Sequence, residues 1–205
     1  MSTFLIMITL GAIYGLLSAI FDWPLWGLFV VTIVASIILF GQVFYTAYRS
    51  KNLHTIRKFI ERHQKDPVYQ YMLLHADEAP DREKIQVLEQ ALSKYKQPKF
   101  QATYGVHLAF VREDLEAAKQ AIQPLLQTEM GDYTNDIIYI LNGESAPSKR
   151  QYTKQWMNDS ILAHEAYMRG DVLAFDEHVQ KSLANTGGIQ LFGNYYSFQQ
   201  MREKM

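Results

Sequence analysis

The chain has 205 residues, enough for one domain of ordinary size plus an appendage, and its 20 Lys and Arg nearly balance 21 Asp and Glu. There is no cysteine, which excludes disulfides, thiol catalysis and Cys-ligated zinc. The charge is unevenly placed: residues 1–48 carry one charged side chain, Asp22, where about 12 would be expected over that length.

Helices of a soluble core keep one solvated face, so a stretch this free of charge is expected in a membrane. The first apolar run extends from Phe4 to Phe21. As a helix it would be about 27 Å long, against a hydrocarbon core of about 30 Å. The second run, Leu25 to Tyr48, is longer, has no charged side chain and reaches across with length to spare. No Lys or Arg precedes residue 21 and no Ala-x-Ala site follows the first run, so a secretory signal is not expected. Between the runs lies Phe21-Asp-Trp-Pro-Leu-Trp26. Pro24 ends a helix, Asp22 suits a turn, and Trp23 and Trp26 favour the headgroup interface. The expectation is a transmembrane hairpin over residues 1–48, with spans at about 4–21 and 25–48 and its tip at this turn. Gly11, Gly15 and Ala19 recur at four-residue steps in the first run and would let a neighbouring helix come close. The nearest partner is the second run, where Gly27, Ala35 and Ser36 are small; a homo-oligomer through the first span is the alternative. Neither run holds an ionisable side chain, which argues against an ion or proton pathway.

Residues 49–65 are basic, with Arg49, Lys51, Arg57, Lys58, Arg62 and Lys65 opposed only by Glu61. By the positive-inside rule, both termini and the remaining chain are expected on the cytoplasmic side of the cell membrane, with the tip outside. The same cations suit anionic membrane lipids. Residues 66–205 hold 14 basic and 19 acidic side chains, a balance that argues against nucleic acid as a partner.

Periodicity predicts helices throughout this part, the first (Leu53 to Ile60) within the basic segment. The others are Val68 to Leu74 after Pro67, Ile85 to Leu92 with Asp81 as a cap, and Phe100 to Val111 after Pro98. Then follow Leu115 to Leu126 capped by Asp114, and a short helix at Ile137 to Leu141. The last three are Tyr152 to Met168, Val172 to Leu183 and Ile189 to Met201. Gly187-Gly188 is expected to stop a helix. With caps and apolar stripes of its own, a fragment beginning near Lys65 is expected to fold alone.

Internal similarity appears at two places. Ile-Gln-Val-Leu-Glu-Gln-Ala-Leu (85–92) lies over Leu-Glu-Ala-Ala-Lys-Gln-Ala-Ile (115–122). At a longer offset, Arg-Glu-Asp-Leu-Glu-Ala (112–117) lies over Arg-Gly-Asp-Val-Leu-Ala (169–174). At these residues, and best at Leu162 to Asp171 with its Gly-Asp turn, the chain resembles tetratricopeptide-like helical repeats over residues 66–185. The spacing is uneven, the family's Trp is missing, and its closing Pro is absent after Leu92, Leu126 and Leu183. The resemblance implies an all-α fold, a hairpin followed by a cytoplasmic α-solenoid over 66–205, whose concave face binds a protein or peptide. Tyr104, Tyr139 and Tyr167 would line such a groove, although aromatics also lock neighbouring repeats together.

Chemistry is sparse. His164-Glu165 begins like a zinc-protease motif but Met168 stands where the second His is needed, and the other histidines are scattered. His107 reads as a hydrogen-bonded core residue. The acidic pairs Asp77-Glu78 and Asp176-Glu177 read as solvated faces. No catalytic residue, cofactor or metal is expected. The leading expectation is a membrane-anchored adaptor or scaffold; the alternatives are an accessory subunit of a membrane complex and, third, a small membrane enzyme.

Overall fold

The structure is a computed structural model that describes residues 3–21, 26–148 and 151–205. Among them it is entirely helical, with no strand. Two compact units divide the chain, Met1–Tyr45 and Thr46–Met205. The first holds α1 (Thr3–Phe21) and most of α2 (Trp26–Tyr48). Among the described residues one helix is long and apolar enough to cross a membrane, over Phe29–Tyr48; the apolar stretch of α1, Gly11–Ile20, is shorter. Phe29, Ile37 and Phe40 stand at least 65% exposed, an arrangement that lipid suits and water does not. Asp22, Trp23, Pro24 and Leu25, and with them most of the expected tip, lie outside the described residues.

The second unit contains α3 (Leu53–Arg62), α4 (Pro67–Ala76), α5 (Asp81–Lys94), α6 (Pro98–Val111) and α7 (Leu115–Ile122). A 3-10 turn (Gln123–Leu125) leads to α8 (Glu129–Leu141), α9 (Gln155–Arg169), α10 (Val172–Ala184) and α11 (Gly188–Glu203). Short polar side chains start several of them: Asn52, Asp66, Asp114, Thr128 and Asp171 each accept a hydrogen bond from a first-turn amide. Pro67 and Pro98 open α4 and α6, where a missing N–H costs nothing.

Four expectations need correction. Asp81 is the first helical residue and not the cap; its carboxylate still faces the positive end of the helix dipole. The helix expected through Leu126 stops at Ile122, because Pro124 cannot supply the next amide and the chain tightens into a 3-10 turn. The short helix at 137–141 begins well before Ile137, at Glu129, held by the Thr128 cap and the amide of Gly131. Gly187-Gly188 does not stop a helix. Helix α10 has already ended at Ala184, and Gly188 is the first residue of α11, with φ +60.

Helices α3 to α11 pack each on the next in chain order, and α11 also returns to α3 and α4. An open solenoid makes only nearest-neighbour contacts; here the two ends meet. Ile56 and Ile60 of α3, Leu73 of α4, and Leu191 and Phe192 of α11 form one buried cluster. The seam continues in the backbone. The Gly188 amide donates to the Ser50 carbonyl at 2.8 Å, and Lys51 Nζ donates to the carbonyls of Ala184, at 2.7 Å, and Thr186. The basic segment 49–65 thus belongs to the same compact unit as residues 66–205.

A fragment 46–205 should therefore melt as one cooperative unit. A fragment 66–205, which strips Ile56 and Ile60 from Leu191 and Phe192, should melt roughly 10 °C lower or aggregate. Equal melting curves by circular dichroism would show that the closure carries no stability.

Candidate functional site: a cavity beneath the last helix

Three helices turn one face each toward a common space. On α4 the face is Val68, Tyr71, Met72 and His75, at the i, i+3, i+4, i+7 spacing that places side chains in one row. On α6 it is Thr103, Tyr104, His107, Phe110 and Val111, and on α11 it is Ile189, Phe192, Gly193, Tyr196 and Gln200. Together, with the start of α5, they border a cavity of about 500 Å³ that is partly open to solvent.

Its walls combine aromatic rings with polar side chains, among them His75, His107, Gln190, Asn194 and Gln200. The rings of Tyr71 and His107 meet at 5.3 Å between centroids, tilted by 52°, with the Tyr71 hydroxyl 3.5 Å from His107 Nδ1. Tyr104 approaches the same imidazole at 6.2 Å. His75 Nε2 lies 3.1 Å from the Ser197 hydroxyl, and the Gln200 amide donates to the His75 carbonyl at 2.7 Å, so α4 and α11 are tied on this side too. Asn194 Oδ1 accepts from the Gln190 amide at 2.7 Å, while its buried Nδ2 has no partner. Asp81 pairs with Lys84 at 3.1 Å at the edge.

Burial pushes the His75 imidazole down to about 4, assisted by the Lys84 cation. It pushes His107 down to about 4 as well, with His75 adding to the effect. The Tyr104 hydroxyl is pushed up to about 12 by the same loss of solvent. At neutral pH the two imidazoles and the Tyr104 hydroxyl carry no charge.

The sequence-predicted residues are distributed differently. Tyr104 lines the cavity; Tyr139 lies half-buried beneath Lys119, whose Nζ is 4.7 Å from the ring, and Tyr167 packs on Phe175 at 6.3 Å. Lys51 is committed to the seam, and Arg57 bonds Asp77 at 2.7 Å and Glu61 at 3.0 Å. Arg49, Lys58, Arg62 and Lys65 are exposed. Of the acidic pairs, Asp77 is thereby paired, and Asp176 pairs with Arg202 at 2.8 Å. His164 is buried, with Nδ1 2.7 Å from the Ser160 carbonyl. Among the described residues no group of side chains is arranged to hold a metal ion. In the first unit, Tyr14 is buried with its hydroxyl against Gly27, where an added Cβ would collide with it. A Cβ at Gly11 or Gly15 meets nothing within 4 Å among the described residues, and Ala19 is exposed. Tyr14 thus makes a contact on α2; Trp26 is exposed, and Trp23 lies outside the described residues.

Sequence reasoning missed the cavity. Its signal was there in the i, i+3, i+4, i+7 rows of three helices, but the rows do not say that α11 meets α4. No known protein family, characterised protein or solved structure matches this chain.

The histidines set a pH dependence. Unfolded imidazoles bind protons near 6.5, while the folded ones stay neutral to about 4. Their contribution is fully present above pH 6.5 and is lost as pH falls toward 4, by at most about 3 kcal/mol each. Chemical denaturation at stepped pH should show stability falling from pH 6.5 to 5, where most carboxylates remain ionised. The pair His75→Gln and His107→Gln together should flatten that slope, and an unchanged slope would assign it to other groups.

Proposed function

We propose that this chain is a membrane-anchored helical scaffold, whose folded domain lies at the cytoplasmic face and binds a protein or peptide partner there. The observation that carries the reading is the uninterrupted passage from the apolar stretch Phe29–Tyr48 into a domain whose first residues are built into its seam. Such a tether holds the domain at the membrane and raises the effective concentration of whatever it meets there. In this reading α1 and α2 form a two-span hairpin with Phe21-Asp-Trp-Pro-Leu-Trp26 outside. The basic residues that follow α2 set the orientation and draw anionic lipid. No catalytic step is assigned to the domain.

A second reading is favoured by the open face of α1. Gly11, Gly15 and Ala19 lie in one row that the described residues leave uncovered, so a helix of another subunit has room to approach. The chain would then be an accessory subunit docked through its hairpin.

Two measurements test these readings. With Trp23→Cys, a membrane-impermeant thiol reagent should label intact cells, and with Asn185→Cys it should not; the reverse pattern removes the cytoplasmic placement. Proteins that co-purify with the full chain in mild detergent should be captured again by fragment 46–205 if the domain is the binding part. Capture only by the full chain, lost in Gly15→Leu at unchanged thermal stability, would select the subunit reading instead.

A further inference from the structure

We infer that the cavity bordered by α4, α6 and α11 is a binding site for a small, flat, uncharged aromatic molecule that carries a hydrogen-bond acceptor.

The size comes first. The space between the three helices measures about 500 Å³ and is partly open to solvent. It falls within the range of small-molecule sites.

Gly193 is the second observation. It sits in the middle of α11, where glycine weakens a helix relative to alanine. Other glycines of the domain have visible reasons. A Cβ at Gly105 would stand 3.1 Å from that of Ala121, and one at Gly131 would collide with the Leu125 carbonyl. At Gly193 a Cβ meets nothing within 4 Å, and the residue lies on the cavity wall. Neither backbone conformation nor helix packing asks for glycine there. What its missing side chain leaves is room.

The third is Asn194, the next residue, also on the wall. Its Oδ1 is satisfied by Gln190, but its buried Nδ2 donates to nothing. Buried donors are nearly always paired, and an acceptor on a bound molecule would complete this one. The rest of the wall selects the shape and charge of that molecule. The rings of Tyr71, Tyr104 and His107 lie close together at mutual tilts, a surface that a flat ring can contact by edge and face. The imidazoles are neutral, Lys84 already has Asp81, and the other charged lining residues, Glu113 and Lys204, are exposed to water. A charged ligand laid against the ring wall would lose hydration there, while these side chains stay solvated.

This inference does not depend on the adaptor reading, since its test needs no partner. The full chain, with its histidines labelled with nitrogen-15, would be placed in lipid nanodiscs and titrated with benzamide and with the larger carbostyril. Benzoate and cyclohexanecarboxamide, which add a charge or remove the aromatic ring, serve as comparisons. At least one aromatic amide should shift the imidazole signals of His75 and His107 saturably, in the millimolar range or below. The two comparison compounds should bind at least tenfold more weakly. Asn194→Ala should weaken binding about fivefold, the fold-change of one neutral hydrogen bond. Gly193→Leu should abolish binding while melting at or above the wild-type temperature, because its side chain fills the space and favours the helix. No saturable shift with either amide would mean that the cavity holds only water. Equal binding by benzoate, or binding that survives Gly193→Leu, would likewise overturn the assignment.

Discussion

At Gly188 the chain turns into α11 with its amide on the Ser50 carbonyl and its α-carbon pressed against the backbone of Ala47 and Tyr48. Any side chain there would collide with the Ala47 carbonyl, and φ of +60 is itself unfavourable for a residue with a Cβ. This contact decides where α11 can go. Once the helix starts at that point, Leu191 and Phe192 fall onto Ile56, Ile60 and Leu73, and the ends of the domain are joined. Lys51 reinforces the joint, since its ammonium takes the carbonyls left open at the end of α10, where a cation also suits the helix dipole. Every later feature of the domain assumes this start.

The cavity is the main consequence. Helices α4 and α6 present rows of aromatic and imidazole side chains that would face solvent if the stack were open. With α11 laid across them, the rows become an interior. Desolvation then holds His75 and His107 neutral and keeps the hydroxyl of Tyr104 protonated. Closure therefore sets both the shape of the space and its electrostatic character. The hydrogen bonds from α11 to α4, through Ser197 and Gln200 at His75, fix its width.

Local features were legible in the sequence where local physics decides them. The two apolar runs became helices close to their expected ends. Pro67 and Pro98 marked helix starts, and Asp114 capped α7 as its position implied. The misses have physical causes as well. The start of α8 was hidden because Asp132, Thr134 and Asn135 interrupt the apolar pattern, and the helix is secured instead by its Thr128 cap and by Tyr133, buried against Tyr152 and Trp156. Gly187-Gly188 carried the composition of a helix end. Its role comes from the backbone of Ala47 to Ser50, at the opposite end of the domain's chain, which no local window contains. The candidate site shared that limit: Tyr104 was singled out, but its neighbours on α11 could be found only by knowing where α11 lies.

Closure also changes what the helical-repeat resemblance implies. In an open stack, the inner faces of successive helix pairs are available to an extended peptide. Here the corresponding faces of α4 and α6 are turned toward α11, so a peptide would need α11 to leave, exposing Phe192 and breaking the bonds at Ser50 and His75. A partner that binds without that cost must use the outer surface. Part of the charge on that surface is paired within the domain, as between Arg57 and Asp77, Arg112 and Glu89, and Arg202 and Asp176. Exposed pairs of this kind contribute little to stability, which leaves their charges free to exchange partners at small expense.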